Sequence, residues 1–309
     1  MRKLVKISVA ALLAVSVLSG CAFSDPRIEG AVPAEPSSMG DFSQAGDDVH
    51  TAWEAVAGMA ALDPSNQQWG LMTETLASQW IVLVGPDPLN RIQAKGADIG
   101  DPGSFASVDD GKTAADDALT TARDSALSQA NSSTGLATAF WASLAAGLEQ
   151  VRLGLSGAYD PAPKPDSNAT VTIVDEPTAL SELISRYDEA IFAIRSSMGF
   201  LDPADPDQSY FKALLSTLQS NLADLTDLAV TAQATPTPHG IYELPDGRGH
   251  DAAFAMLAST QKALTEASVV WAASTSAPAT ATPYVMSNAT FAMDYGLGTA
   301  AWPGWPDSE

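Results

Sequence analysis

Apolar residues recur at steps of three and four along almost the whole chain beyond residue 46, and that period leaves little choice of fold. Val49, Trp53, Val56 and Ala60 make one such stripe; Trp69, Met72, Leu76, Trp80 and Leu83 make the next. An Ala-rich segment follows at about 113–131, then Leu136, Phe140, Leu144, Leu148, Val151 and Leu155. Each set places its apolar side chains on one face of a helix, whereas a strand would alternate them every second residue. The expectation is an all-α protein.

The stripes stop at 158–177, "AYDPAPKPDSNATVTIVDEP", where Pro161, Pro163, Pro165 and Pro177 interrupt any helix. This stretch reads as a linker. Beyond it come Leu180, Ile184, Tyr187, Ile191, Ile194 and Met198, then Phe211, Leu214, Leu218, Leu222 and Leu225. Phe254, Leu257, Leu264 and Trp271 form a third stripe, and Val285, Ala289, Met293 and Leu297 a fourth. Four helices followed by four helices predict two tandem four-helix bundles, at 47–157 and 178–306. Two echoes suggest duplication. Met59, Leu62, Asp63 and Pro64 match Met198, Leu201, Asp202 and Pro203, and Asp110-Gly111-Lys112 matches Asp246-Gly247-Arg248 ahead of each third helix.

The second half carries a family resemblance. Its first helix has "RYDEAIFAI", its second is Leu-rich, "YELPDGRGHDAAFAMLASTQKALTEA" runs from loop into the third, and "AAWPGWP" follows the fourth. These features resemble the ferritin-like domain of unknown function found in actinobacterial lipoproteins. The resemblance implies a four-helix bundle, secretion and lipid anchoring; the family has no agreed activity.

The N-terminus agrees with that expectation. "MRKLVK" is basic, "ISVAALLAVSV" is an uncharged apolar run, and "LSGC" puts small residues before Cys21. The order is that of a signal peptide, too short for the roughly 20 apolar residues of a membrane span. The final tetrapeptide resembles the bacterial lipobox, which implies a diacylglyceryl group on Cys21 and cleavage just before it. Residues 22–46, rich in Pro, Gly and Ser, then read as a flexible tether spanning about 25–30 Å. This predicts a protein held by its lipid at the extracytoplasmic face of the cell membrane.

Cys21 is the only cysteine, so disulfides, zinc–thiolate clusters and thiol nucleophiles are excluded from the folded part, and apolar packing must stabilise it. Without Arg2, Lys3 and Lys6 the charge falls from −22 to 12 basic against 37 acidic side chains, net −25. Such a polyanion repels nucleic acid and gains nothing from acidic lipid.

Di-iron bundles use a Glu from each of two helices and a Glu-x-x-His from each of the others. This sequence has His50, His239 and His250 and no Glu-x-x-His. Glu189 lies about 200° around its helix from Tyr187, and Glu182 and Arg186 are spaced as a solvent-side pair. The best candidate metal cluster is His50 with Glu54 one turn on, completed by Glu74 and Glu149 from neighbouring helices; solvated polar side chains near helix starts explain the same residues. Catalytic signatures such as G-x-S-x-G and H-E-x-x-H are absent from the sequence. "LDPSNQ" and "LDPADPDQ" lack a calcium-loop pattern and read as helix punctuation, with Asp63-Pro64 and Asp205-Pro206 at helix starts. Gln261, on an apolar stripe, reads as a satisfied core amide. Trp302 and Trp305 read as closing one end of the bundle. No cofactor is expected, and no catalysis. The sequence predicts an envelope protein that binds or scaffolds a protein partner; the alternative is a metal- or small-ligand-binding bundle with a degenerate site.

Overall fold

Helix formation is favoured wherever the stripes lie, and side-chain caps fix the start of three of the helices. A computed structural model of the chain describes residues 42–85, 98–161, 171–236 and 248–305. Cys21, most of the tether and His239 lie outside them. The described residues contain eight α-helices and no strand. They are α1 (Ser43–Leu62), α2 (Gln67–Val84), α3 (Val108–Ser132), α4 (Leu136–Gly154), α5 (Glu176–Phe200), α6 (Gln208–Ala232), α7 (His250–Ser274) and α8 (Pro278–Thr290), followed by a short 3-10 helix, Met293–Tyr295. All belong to one compact unit.

Helix α3 starts where Ser107 accepts a bond from the Asp110 amide, with Asp109 and Asp110 at the positive end of the helix dipole. Helix α5 starts at Asp175, whose carboxylate accepts the Thr178 amide at 2.9 Å. The punctuation of the two acidic loops differs from expectation in its residues. Asn66, not Asp63, caps α2, and Asp63 instead ends α1 and accepts the Ser65 hydroxyl. Asp202 and Asp205 each accept an amide two residues on, making tight turns that deliver the chain to Asp207, immediately before α6. Helix α1 begins at Ser43, so the last residues assigned to the tether are helical, and Ala45 and Gly46 are buried.

Helix α1 packs on α2 and α3, and α3 on α4; likewise α5 packs on α6 and α7, and α7 on α8. The two sets meet where α4 packs on α7 and α8, and α3 on α8. Helix α4 is accordingly buried on nearly every side, from Leu136 to Val151. Starting positions are separated by 142 both from Val108 to His250 and from Leu136 to Pro278. At that spacing buried residues coincide: Trp69 with Phe211, Leu76 with Leu218, Ala115 with Leu257, Leu119 with Gln261, Ala126 with Ser268. The first helices coincide at 138 instead, Val49 with Tyr187, Val56 with Ile194, and final residues Leu62 with Phe200. The difference sits in the longer α5–α6 loop. The Asp-Gly-Lys echo is therefore out of register: Asp110 to Lys112 lie within α3, whereas Arg248 precedes α7.

The fourth apolar stripe of the second half does not remain one helix. Helix α8 ends at Thr290, and the amide of Ala292 is taken by Gln261 Oε1 at 2.6 Å. A side chain thus supplies the acceptor that a continuing helix would have provided from its own backbone. Leu297 belongs to the non-helical tail beyond.

Candidate functional site

The four candidate metal ligands do not come together. His50 approaches Glu54 (Nδ1 to Oε1, 3.6 Å), but its Nε2 meets the Ile99 carbonyl at 2.6 Å and its ring lies beside Trp53 and Trp80. The histidine thereby holds the segment entering α3 onto α1. Glu74 is exposed on α2. Glu149 is engaged elsewhere, by Arg152 and Arg123 at 2.7 Å each, and Arg152 also reaches Asp116. Burial raises the Glu149 carboxyl, but bonds from Arg152 and Arg123 outweigh it and hold the group below its ordinary value. Among the described residues no three His, Cys, Asp or Glu side chains are grouped to hold a metal ion. Arg186 bridges Glu182 and Glu189, so Glu189 faces a cation on its own helix.

Each helix of the second half directs a polar side chain inward. Tyr187 of α5 donates to Asn288 Oδ1 of α8 at 2.9 Å, and Asn288 Nδ2 donates to Ser268 Oγ of α7 at 2.7 Å. Asn221 of α6 donates to the Tyr187 hydroxyl at 3.3 Å, and Ser268 returns its proton to the Leu264 carbonyl. Burial pushes the Tyr187 phenol up to about 12, against the bonds from Asn221 and to Asn288. The set is neutral and its members satisfy one another. It does not fit a di-iron centre, which needs anionic oxygen and imidazole donors. Asn288 and Ser268 were recognisable in the sequence only as polar residues inside apolar runs.

A second polar cluster lies at the surface where α6 and α7 begin. Asp207 accepts from the Tyr295 hydroxyl at 2.8 Å and lies 3.3 Å from His250 Nε2, while His250 stacks on Phe254. Tyr210 bonds to the Phe291 carbonyl and packs edge-on against Tyr295. This cluster pins the turn after α8 to the start of α6.

The most elaborate arrangement is built around the C-terminal tail. Gln79 of α2 donates to the Ala301 carbonyl at 2.7 Å. Gln150 of α4 donates to Ala289 and Gly298 carbonyls at 2.5 and 3.1 Å, and accepts the Ala300 amide at 2.9 Å. Gln261 of α7 donates to the same Gly298 carbonyl at 2.9 Å while accepting from Ala292. Thr299 donates to the Asp160 carbonyl. Gln79, Gln150 and Gln261 are at most 1% exposed. Beyond the amides, Trp302 and Trp305 are buried, with ring centroids 5.1 and 6.2 Å from Phe140. Both tryptophans are thus buried, but along the flank of α4 and α7 rather than across a bundle end, and nearby Phe42 stacks on Trp141. Gln261 is the satisfied amide expected; Gln79 and Gln150 carry the same signal, an amide on an apolar stripe.

Among the described residues no helix is long and apolar enough to cross a membrane. Comparison with known proteins finds no matching family model, curated protein or solved structure.

Proposed function

We infer that this is a lipid-anchored protein of the bacterial cell envelope, held through Cys21 at the extracytoplasmic face. Its body is two tandem four-helix bundles, the second ferritin-like, joined by the segment between α4 and α5 and set apart from Cys21 by the residues that precede α1. Its role is to bind or scaffold an envelope partner rather than to catalyse a reaction. The observation that supports this most is the interior of the second half. Tyr187, Asn221, Ser268 and Asn288 occupy the place where a ferritin-like bundle would gather carboxylates, and they bond to one another. A neutral, self-satisfied centre rigidifies a bundle but offers no charge to a metal and no base to a substrate.

Elemental analysis tests the reading. A form lacking residues 1–21, purified without chelators, is expected to carry no stoichiometric iron, manganese or zinc; a metal at one or two equivalents per chain refutes it. For the anchor, Cys21→Ala is expected to abolish labelling by a fatty-acid probe and release the protein into the medium. Label that persists in that variant removes the lipid assignment.

A further inference from the structure

The tail from Gly296 to Trp305 is held by the densest set of side-chain amide bonds to main chain described above. Its backbone forms no helix or ladder; side-chain amides from three different helices hold its carbonyls and the Ala300 amide. Such contacts read main chain rather than side chain, as peptide-recognition grooves do. The two tryptophans supply what the amides do not, large apolar anchors set into a pocket walled by Phe140.

The walls are shaped for this occupant. A Cβ added to Gly147 of α4 would lie 2.5 Å from the Ala301 carbonyl, so α4 admits the tail only because that position is glycine. A Cβ on Gly304, at φ +77°, would meet Val269 Cγ2 at 2.5 Å, so the turn between the tryptophans presses directly onto α7. Packing alone does not call for these residues. At the spacing that superposes the halves, Gln150 corresponds to Ala292, Gln261 to Leu119 and Gly147 to Ala289, all buried aliphatic or small positions. The tail clamp is thus an addition to a repeated apolar scaffold.

We propose that the groove between α2, α4 and α7 is a peptide-binding site, filled in the isolated chain by its own C-terminal tail, and that it accepts the same tail from a second copy of this protein. The ligand class is a non-helical segment with a turn at Trp-Pro-Gly-Trp, recognised through its backbone by Gln79, Gln150 and Gln261. This goes beyond the envelope-binding reading and does not depend on the anchor.

The test uses the full chain and, as probe, a fluorescently labelled synthetic peptide of sequence 296–305. In the wild type, the resident tail competes at the high effective concentration of a tethered ligand. A full-length Trp302→Ala/Trp305→Ala variant, whose own tail has lost both anchors, is expected to bind the probe at least about tenfold more tightly than wild type does. A probe with both tryptophans changed to alanine is expected not to bind. Failure of the variant to bind the probe while its helical circular dichroism is intact overturns the proposal, as does equal binding to both chains. Should the variant lose its helices, hydrogen exchange of the wild type decides. The Ala300 and Trp305 amides are then expected to exchange at least about tenfold faster than the amides of α4, through opening of the tail alone. Tail and α4 amides exchanging at one common rate would rule out a separable ligand.

Discussion

Single buried polar side chains carry a disproportionate share of the specificity of this molecule. Gln150 makes three bonds from within an apolar helix; its truncation takes this donor from the Ala289 carbonyl and the acceptor from the Ala300 amide, while the Gly298 carbonyl keeps Gln261. Gln150→Ala is expected to lower the unfolding free energy by about 2–4 kcal/mol, read from urea denaturation. Tyr187→Phe keeps the ring but orphans Asn288 Oδ1 and the Asn221 donor, and should destabilise by about 1–3 kcal/mol. The same burial gives Tyr187 a titration signature. Its phenol ionises near 12 in the folded state, so it stabilises the fold fully below the ordinary tyrosine value of 10.0 and loses that contribution as the pH rises through 12. Ultraviolet absorbance titration of wild type against Tyr187→Phe checks this. Glu149 acts at the other end of the scale. Its folded value lies below the ordinary 4.5, so its contribution is present above pH 4.5 and disappears as the pH falls through the lower folded value. Replacing it with glutamine is expected to flatten the acid limb of stability measured between neutral pH and acid.

Among the elements, helix ends and helix packing obey different controls. Ends follow local chemistry: Asn66 accepts the Gln68 amide to open α2, and Asn66→Ala should cost about 1 kcal/mol. Packing follows residue size. Helix α3 meets α1 and α4 through Ala115, Ala122, Ala126 and Ala130, so the helices approach closely with little side-chain bulk between them. Helix α8 shows where local and tertiary controls collide. Its apolar period continues past Thr290, yet the backbone turns because Gln261 captures the Ala292 amide and Tyr295 reaches Asp207. Periodicity alone could not reveal that a residue on α7 ends a helix made of other residues.

Across the whole molecule, the two sets of four helices share one body, since α4 packs on α7 and α8 and the tail is clasped by residues of both sets. Scanning calorimetry is therefore expected to show one transition whose calorimetric and van't Hoff enthalpies agree; two separated peaks would mean that the sets fold independently. The charge of −22 acts at this scale too. Like charges distributed over one body repel at low ionic strength, and salt shortens their reach to about 8 Å at 0.15 M. Midpoint temperatures should rise between 10 and 150 mM salt, as screening weakens the repulsion among the acidic side chains.

The helical stripes, the helix count, the acidic character and the amide at Gln261 were legible in the amino-acid order, because periodicity, charge and a polar residue on an apolar face are properties of neighbours along a chain. The loops "LDPSNQ" and "LDPADPDQ" were legible as punctuation too, though the capping residue was not, since several adjacent side chains can accept the same amide. What only the tertiary structure decided was which distant groups meet: Glu149 with two arginines rather than with His50, Tyr187 with Asn288, three glutamines with one tail. Those pairings depend on the rotation and approach of whole helices, which small buried residues such as Gly147 set in three dimensions and which no spacing along the sequence encodes.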